Sequence, residues 1–345
     1  MPILSKQIIH DNYDRLLVNN VPGTIVTSSG TISVSTIMRD NRLNNKWGED
    51  RFQNWHKVPN TKQCFLWGAL YTTDKPILFG DKLFLPVDSL NTREDALNYL
   101  KMISSFKPHR IRAYVSGIRF LAHYALEEGI RPMVGAIETN SEVLSQEART
   151  LIEEAFQCPV FNFYSSEECS AMAQDCEEHG DLHINAERYI IEEADGKLLV
   201  TDLLNYSMPL IRYDIQDLVQ LSNKKCPCDR GLPLIKNVEG RVIDFLYTKS
   251  GKWIPSFSPS HTSIEDYHWI SKYQWVQTEQ GKATLRIQPW PDMEIPSRKE
   301  IERGISMRWP KDELDVQPEI VDSMILTKSG KQIFVITDLY PWEMS

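Results

Sequence analysis

The sequence predicts an α/β protein, a large layered N-terminal core followed by a small α+β C-terminal domain. Three observations carry this prediction. Amphipathic helices alternate with short apolar strands up to about residue 200. After Ile184 the pattern changes to paired strands around turn residues. From about Leu246 the order is β-β-α-β-β, which suits one helix laid on one small sheet. The switch falls near Gly240–Asp244, in NVEGRVIDF, so the expected domains are 1–243 and 244–345.

Each element has its own reason. TREDALNYLKMISSF is helical because Ala96, Leu97, Leu100, Ile103 and Phe106 recur at helical spacing. SGIRFLAHYALEEG reads as a second helix, with Ser116 as its N-cap and Gly129 as its stop. NSEVLSQEARTLIEEAF is a third helix, and CPVFNFY after it is a buried strand. RYIIEEADGKLLVTDL is two strands around Asp-Gly, and YQWVQTEQGKATLRIQP is a hairpin around Gln280-Gly281. SRKEIERGISMRW is a helix with Ile301, Ile305 and Trp309 on its inner face; the strands DVQPEIVDSMILT and KQIFVITDL follow.

Composition narrows the function classes. The 345 residues carry a formal net charge of -9, with 41% hydrophobic and 25% charged residues. An acidic chain argues against a nucleic-acid partner, because phosphate backbones demand clustered Lys and Arg. No apolar run is long enough for a bilayer, and MPILSKQIIHDNYDR lacks the order of a secretory signal, so no membrane partner and a cytoplasmic location are expected. Six cysteines in a chain this long do not make a disulfide framework. Cys64 and Cys158 sit among apolar neighbours and read as core thiols, whereas Cys226 and Cys228 form KKCPCDR.

The stretch TIVTSSGTISVST can cradle phosphate. Thr27, Ser28, Ser29 and Thr31 offer hydroxyl donors, and Gly30 lets backbone N–H groups approach an anion. It is not a Walker loop, since no Gly-Lys-Ser follows. Taken alone it is equally a polar turn. Further along stand YSSEE, PLIRYDIQD, CPCDRG, EGRVID and a late SGK, in that order. This ordered set, from about Thr24 to about Leu339, resembles the adenylate-forming enzymes of the phenylacetate–coenzyme A ligase, coenzyme F390 synthetase and CapK-like family. The resemblance implies an adenylate-forming fold and ATP-dependent activation of a carboxylic acid, aromatic by preference. Pyrophosphate leaves, and the acyl group passes to a thiol of coenzyme A or a carrier protein, or to an amine.

The resemblance also implies roles for single residues. Tyr164 stacks near adenine and Glu168 helps hold Mg2+, although Ser165 stands where glycine is usual and Glu167 is an extra acid. Asp217 accepts hydrogen bonds from the ribose hydroxyls; two carboxylate oxygens suit that task. Arg241 follows onto the nucleotide, and Asp244 is the hinge before a mobile domain. Lys331 is the catalytic lysine that neutralises charge at the α-phosphorus, with Lys252 of KSGKW as a second copy of the motif. Ser28-Ser29-Gly30-Thr31 agrees with the family's phosphate loop, but Ile32, Ser33 and Val34 stand where Thr, Gly and Lys are usual. A homologue that binds nucleotide with lost or altered turnover is therefore one alternative, and an amide-forming ligase is another. Relatives carry a longer region before this loop, so part of the acyl-side wall is expected to be missing or rebuilt.

Cys176, Cys226 and Cys228 with one histidine make a closed tetrahedral zinc set, and the resemblance points the same way. His183 is preferred to His179 because it opens the strand LHINAERYI. Such zinc stabilises and does not catalyse. Phe65, Trp67 and Tyr71 could line an aromatic acyl pocket or simply belong to a core strand. A homodimer is the one assembly carried as an expectation. A zinc-stabilised interaction module is the third function class that the sequence leaves open.

Overall fold

The computed structural model describes residues 2–27, 36–40, 44–67, 75–90, 92–142, 144–194, 197–241, 245–251, 253–255, 269–290, 293–309, 311–325, 335–337 and 339. They fall into two compact units, the first running to Val238 and the second starting at Glu239.

The first unit opens with two short helices, α1 (Lys6–Asp11) and α2 (Tyr13–Leu16), and a two-stranded ribbon, β1 (Thr24–Thr27) with β2 (Thr36–Arg39). Helix α3 (Asn44–His56) leads into β3 (Gln63–Trp67), β4 (Ile77–Phe79) and β5 (Lys82–Pro86). An alternating series follows: α4 (Arg93–Phe106), β6 (Arg110–Tyr114), α5 (Val115–Glu127), β7 (Ala136–Asn140), α6 (Gln146–Phe156) and β8 (Val160–Ser166). Strands alone complete the unit: β9 (Ser170–Gln174), β10 (Leu182–Ile184), β11 (Tyr189–Ala194), β12 (Lys197–Asp202), β13 (Tyr213–Ser222) and β14 (Leu234–Arg241), the last crossing into the second unit. One twelve-stranded sheet results, ordered β11-β12-β13-β14-β10-β9-β8-β7-β6-β3-β5-β4. Its β5-β3-β6-β7-β8 section is parallel, as helical crossovers require, and the chain then doubles back antiparallel through β9 and β10.

The helix starts show how local chemistry sets boundaries. Thr92 and Asp95 form a reciprocal capping box on α4, and Ser145 accepts from the Ala148 amide to start α6. Helix α5 corrects one expectation: Ser116 is not its N-cap. The helix begins at Val115 directly from β6, and the Ser116 amide and hydroxyl donate instead to Glu142, at 2.6 and 2.9 Å. Gly129 takes the left-handed backbone (φ +64°) just past the helix end. Cys64 and Cys158 are buried, as core thiols should be.

Beneath α3 lies a buried ion network. Arg110 bonds Glu138, and both Arg110 and Arg112 reach Glu49, at 2.7 and 2.9 Å. Burial alone would raise the Glu138 carboxyl, but the two guanidinium groups hold it below the usual range. Close to this network, Gly135 allows backbone contact: an added Cβ would stand 2.5 Å from the His109 carbonyl oxygen. Gly135→Ala is therefore expected to destabilise the unit by about 2 kcal/mol in denaturant unfolding, because the obstacle is backbone and cannot rotate away.

The second unit contains the hairpins β15 (Phe245–Tyr247) with β16 (Trp253–Pro255), and β17 (Ile270–Glu279) with β18 (Lys282–Pro289). Gly281 turns the latter at φ +75°. Helix α7 (Arg298–Arg308), β19 (Asp315–Ile320) and β20 (Val335–Thr337) follow, giving a sheet ordered β19-β18-β17-β20. Ser297 and Glu300 form the capping box of α7, and Ile301, Ile305 and Trp309 are buried against Trp275 and Leu285. The Trp275 and Trp309 rings meet edge to face, with centroids 5.0 Å apart.

Candidate functional site

Three chain segments, widely spaced in sequence, meet here: β8 with the turn after it, β13 and α1. Tyr164 lies near the end of β8, and Glu168 on the turn into β9, where Ser170 takes φ +63°. The Cys169 amide donates to Ser166 Oγ at 3.0 Å and the Tyr189 hydroxyl to the Cys169 carbonyl, which fixes that turn. Strand β13 carries Tyr213 and Asp217 at positions of equal parity, hence on one face. The Tyr164 hydroxyl donates to Asp217 Oδ2 at 2.5 Å, and the Tyr213 hydroxyl donates to Glu168 Oε1 at 3.1 Å. The third segment is α1: Lys6 Nζ stands 3.6 Å from the same Glu168 oxygen. Glu168 is 3% exposed and Lys6 8%, so this is a buried ion pair.

Asp217 is thus half-buried and in a setting where it accepts a hydroxyl hydrogen bond, beside an aromatic ring. That combination suits a nucleoside, whose base stacks and whose ribose offers two hydroxyls. Magnesium needs only one or two protein carboxylates beside phosphate and water oxygens, and the Glu168 carboxylate stands here in an ion pair with Lys6.

Other sequence-predicted residues lie elsewhere. Thr27 closes β1 and Arg241 closes β14, their side chains being outside the described set. Ser28, Ser29, Gly30, Thr31, Tyr71, Asp244, Lys252 and Lys331 lie outside the described residues. Phe65 and Trp67 belong to β3 and pack edge to face, 5.4 Å between centroids, with Phe65 stacked on Phe84.

A second cluster joins the β9–β10 hairpin to the segment before β14. Cys176, His183, Cys226 and Cys228 place their ligand atoms within 4.8 Å of one another. Cys176 Sγ lies 3.6 Å from Cys226 Sγ, and Cys228 Sγ lies 3.3 Å from His183 Nε2. These two spacings match edges of a zinc tetrahedron, about 3.3–3.8 Å for bonds near 2.0–2.3 Å. Register explains the convergence: His183 pairs with Gln174 on one side and Leu234 on the other. The Cys-Pro-Cys turn closes with the Asp229 amide donating to the Cys226 carbonyl at 3.3 Å. His179 is turned away, its Nδ1 facing Arg149 at 2.8 Å and Asp175 at 3.5 Å. Burial pushes the Cys176 thiol up to about 12; burial acts upward on Cys228 too, but hydrogen bonds from Arg230 bring that thiol below its ordinary value. The set fits zinc.

Beside this cluster, burial lowers His56 to about 4. Its ring stacks on Phe161 with centroids 3.5 Å apart, and its nitrogens are buried without hydrogen-bond partners among the described residues. The folded state keeps His56 neutral while the unfolded chain takes a proton below the ordinary 6.5. Its stability contribution is therefore complete above that value and is lost as pH falls toward 4, by up to about 3 kcal/mol. Denaturant stability of wild type minus that of His56→Phe should be lower at about pH 5 than at about pH 7.5 by about 2 kcal/mol, the part of that loss reached by pH 5.

No protein-family model matches the chain. Protein CapK of Staphylococcus aureus is 33% identical over 173 residues, 45% of this chain and 36% of CapK, so the match spans about a third of that relative's length. The fold likeness is far wider. 2-Hydroxyisobutyryl-CoA ligase, solved in the postadenylation state with an acyl-AMP, superposes with a TM-score of 0.73 at 16% identity, over 98% of this chain and 80% of that one. The anthranilate CoA ligase AuaEII with anthranoyl-AMP gives 0.62 at 15% identity, over 89% and 65%. ATP-bound MatB from Rhodopseudomonas palustris gives 0.61 at 12%, over 89% and 66%. The chain thus shares the fold of these CoA ligases, and over 173 residues its sequence is similar to that of CapK.

Proposed function

We propose that the protein activates a carboxylic acid with ATP, releasing pyrophosphate, and passes the acyl group from the adenylate to a thiol, that of coenzyme A first among them. The observation that carries this is the Tyr164–Asp217 pair, an aromatic ring and a hydroxyl-accepting carboxylate held together from strands β8 and β13. Tyr164 stacks on adenine, Asp217 receives the ribose hydroxyls, and the hydroxyls of Thr27, Ser28, Ser29 and Thr31 with the Gly30 backbone face the phosphates. Arg241 follows onto the nucleotide. Lys331 brings its ammonium to the α-phosphorus as the acid's carboxylate attacks and pyrophosphate departs, stabilising the negative charge that builds there. Magnesium enters as part of the MgATP substrate. Asp244 is the turning point between domains 1–243 and 244–345, which lets one site exclude water for adenylation and then admit the acceptor. Zinc held by Cys176, His183, Cys226 and Cys228 is structural, since a closed ligand set leaves no position for water.

An ATP–pyrophosphate exchange assay across aromatic and aliphatic acids tests the reading. Exchange with at least one acid is the expected result, followed by thioester formation with coenzyme A. Nucleotide binding with no exchange would mark a homologue that has lost turnover. Exchange with an amine as the sole working acceptor would make it an amide synthetase.

A further inference from the structure

Zinc held by Cys176, Cys226, Cys228 and His183 would be an anionic centre, because three thiolates outweigh the two charges of the ion. Cys176 and His183 are buried and the other two ligands half-buried, so the excess charge is poorly hydrated and calls for a cation close by.

The backbone treats the three sulfurs alike. Cys176 Sγ accepts from the Glu178 amide at 3.5 Å, Cys226 from the Cys228 amide and Cys228 from the Arg230 amide, each donor two residues on. Cys228 accepts in addition from the Arg230 guanidinium, which brings a full positive charge.

The local fold delivers that charge. Asp229 and Gly231, on either side of Arg230, both take the left-handed backbone, at φ +58° and +67°, and curl the chain. The Arg230 guanidinium lies over the ring of Trp55 on α3, 4.6 Å from its centre, and pairs with Glu177 at 2.8 Å. The same indole meets the His183 ring at 88°, with centroids 5.5 Å apart. Trp55 therefore touches one ligand and holds the cation that serves another.

Other charged groups around the cluster have partners of their own. Arg51, also stacked on Trp55 at 4.8 Å, pairs with Glu187 and donates to Asn185 Oδ1 at 2.8 Å. Arg149 bonds Asp175 at 2.6 Å and faces His179 at 2.8 Å, and burial keeps His56 neutral. The Glu177 side chain is 54% exposed, so water screens its hold on Arg230. We infer that Arg230 is the counter-charge of the metal centre: its guanidinium, held on Trp55, offsets the excess negative charge and makes the Cys228 thiolate a weaker electron donor to the ion. This rests on the zinc reading above.

Competition with a chelator for zinc, and the absorption spectrum of the cobalt-substituted protein, test the assignment. Arg230→Met is expected to weaken zinc about tenfold. It should also move the thiolate-to-cobalt charge-transfer band to longer wavelength, since a sulfur relieved of a charged donor gives up an electron more easily. Arg230→Lys should recover most of the affinity and reverse most of the shift. Wild-type affinity or an unmoved band in Arg230→Met, even with a lower melting temperature, would make Arg230 a structural residue and overturn the inference. Tighter zinc in that variant would overturn it as well. Should Arg230→Met fail to fold, Trp55→Leu decides: freeing the guanidinium should shift the band the same way, and an unmoved band sinks the idea. Wild type that binds neither zinc nor cobalt would refute the metal site itself.

Discussion

Cys228→Ser is expected to lower the melting temperature by about 10 °C, the consequence of losing several kcal/mol of metal-linked folding energy in a chain of this size. The four ligands come from a hairpin and from a turn 50 residues beyond it in the case of Cys176 and Cys226, so the metal closes a long loop. Without zinc, Cys176 and His183 are two fully buried polar groups with no ion to satisfy them. ATP affinity should change far less, because Tyr164 and Asp217 are joined by their own hydrogen bond. Metal analysis should return one zinc per chain. Zinc-free protein of full stability would end the claim.

Asp217→Ala is expected to weaken ATP by about 10- to 100-fold, the value of a hydrogen bond to a charged group, or of two. The substitution removes both carboxylate oxygens and leaves the Tyr164 hydroxyl without its acceptor. The ribose is bound alike in ground and transition states, so the rate at saturation should hold while affinity falls. Lys331→Ala should do the reverse, keeping ATP affinity and slowing exchange. Direct binding and exchange rates on the same two variants check the division. If the variants could not be told apart, one of the two roles would be wrongly assigned.

Much of this was legible in the sequence because the governing interactions are local. Helices α4, α6 and α7 were legible from the spacing of their apolar residues; their hydroxyl caps Thr92, Ser145 and Ser297, each within three residues of its partner, are local signals that the reading did not use. Ser116 misled because a serine near a helix start looks like a cap, whereas its partner, Glu142, comes from after β7. At the site, Tyr164, Asp217 and Glu168 stood in recognisable motifs, but their pairing did not. Tyr213 was overlooked although alternation puts it on the Asp217 face, a period-two signal available in LIRYDIQD. Lys6 had no such signal. Its position depends on a bridge to β13 that no local pattern records.

That bridge has a consequence for biosynthesis. Leu4 leaves the ribosome well before its partner Tyr213, which emerges only after α3 through α6 and the parallel section of the sheet have been made. The segment around Leu4 must wait, without its β13 partner, while the layered core assembles behind it, and such distant pairings close late and slowly. Stalled or truncated products ending before β13 would therefore keep the segment before α1 accessible to protease, while chains that include β13 would shield it. Burial of this segment is in this sense a signal that β13 has been made, given in the same step that brings Lys6 to Glu168.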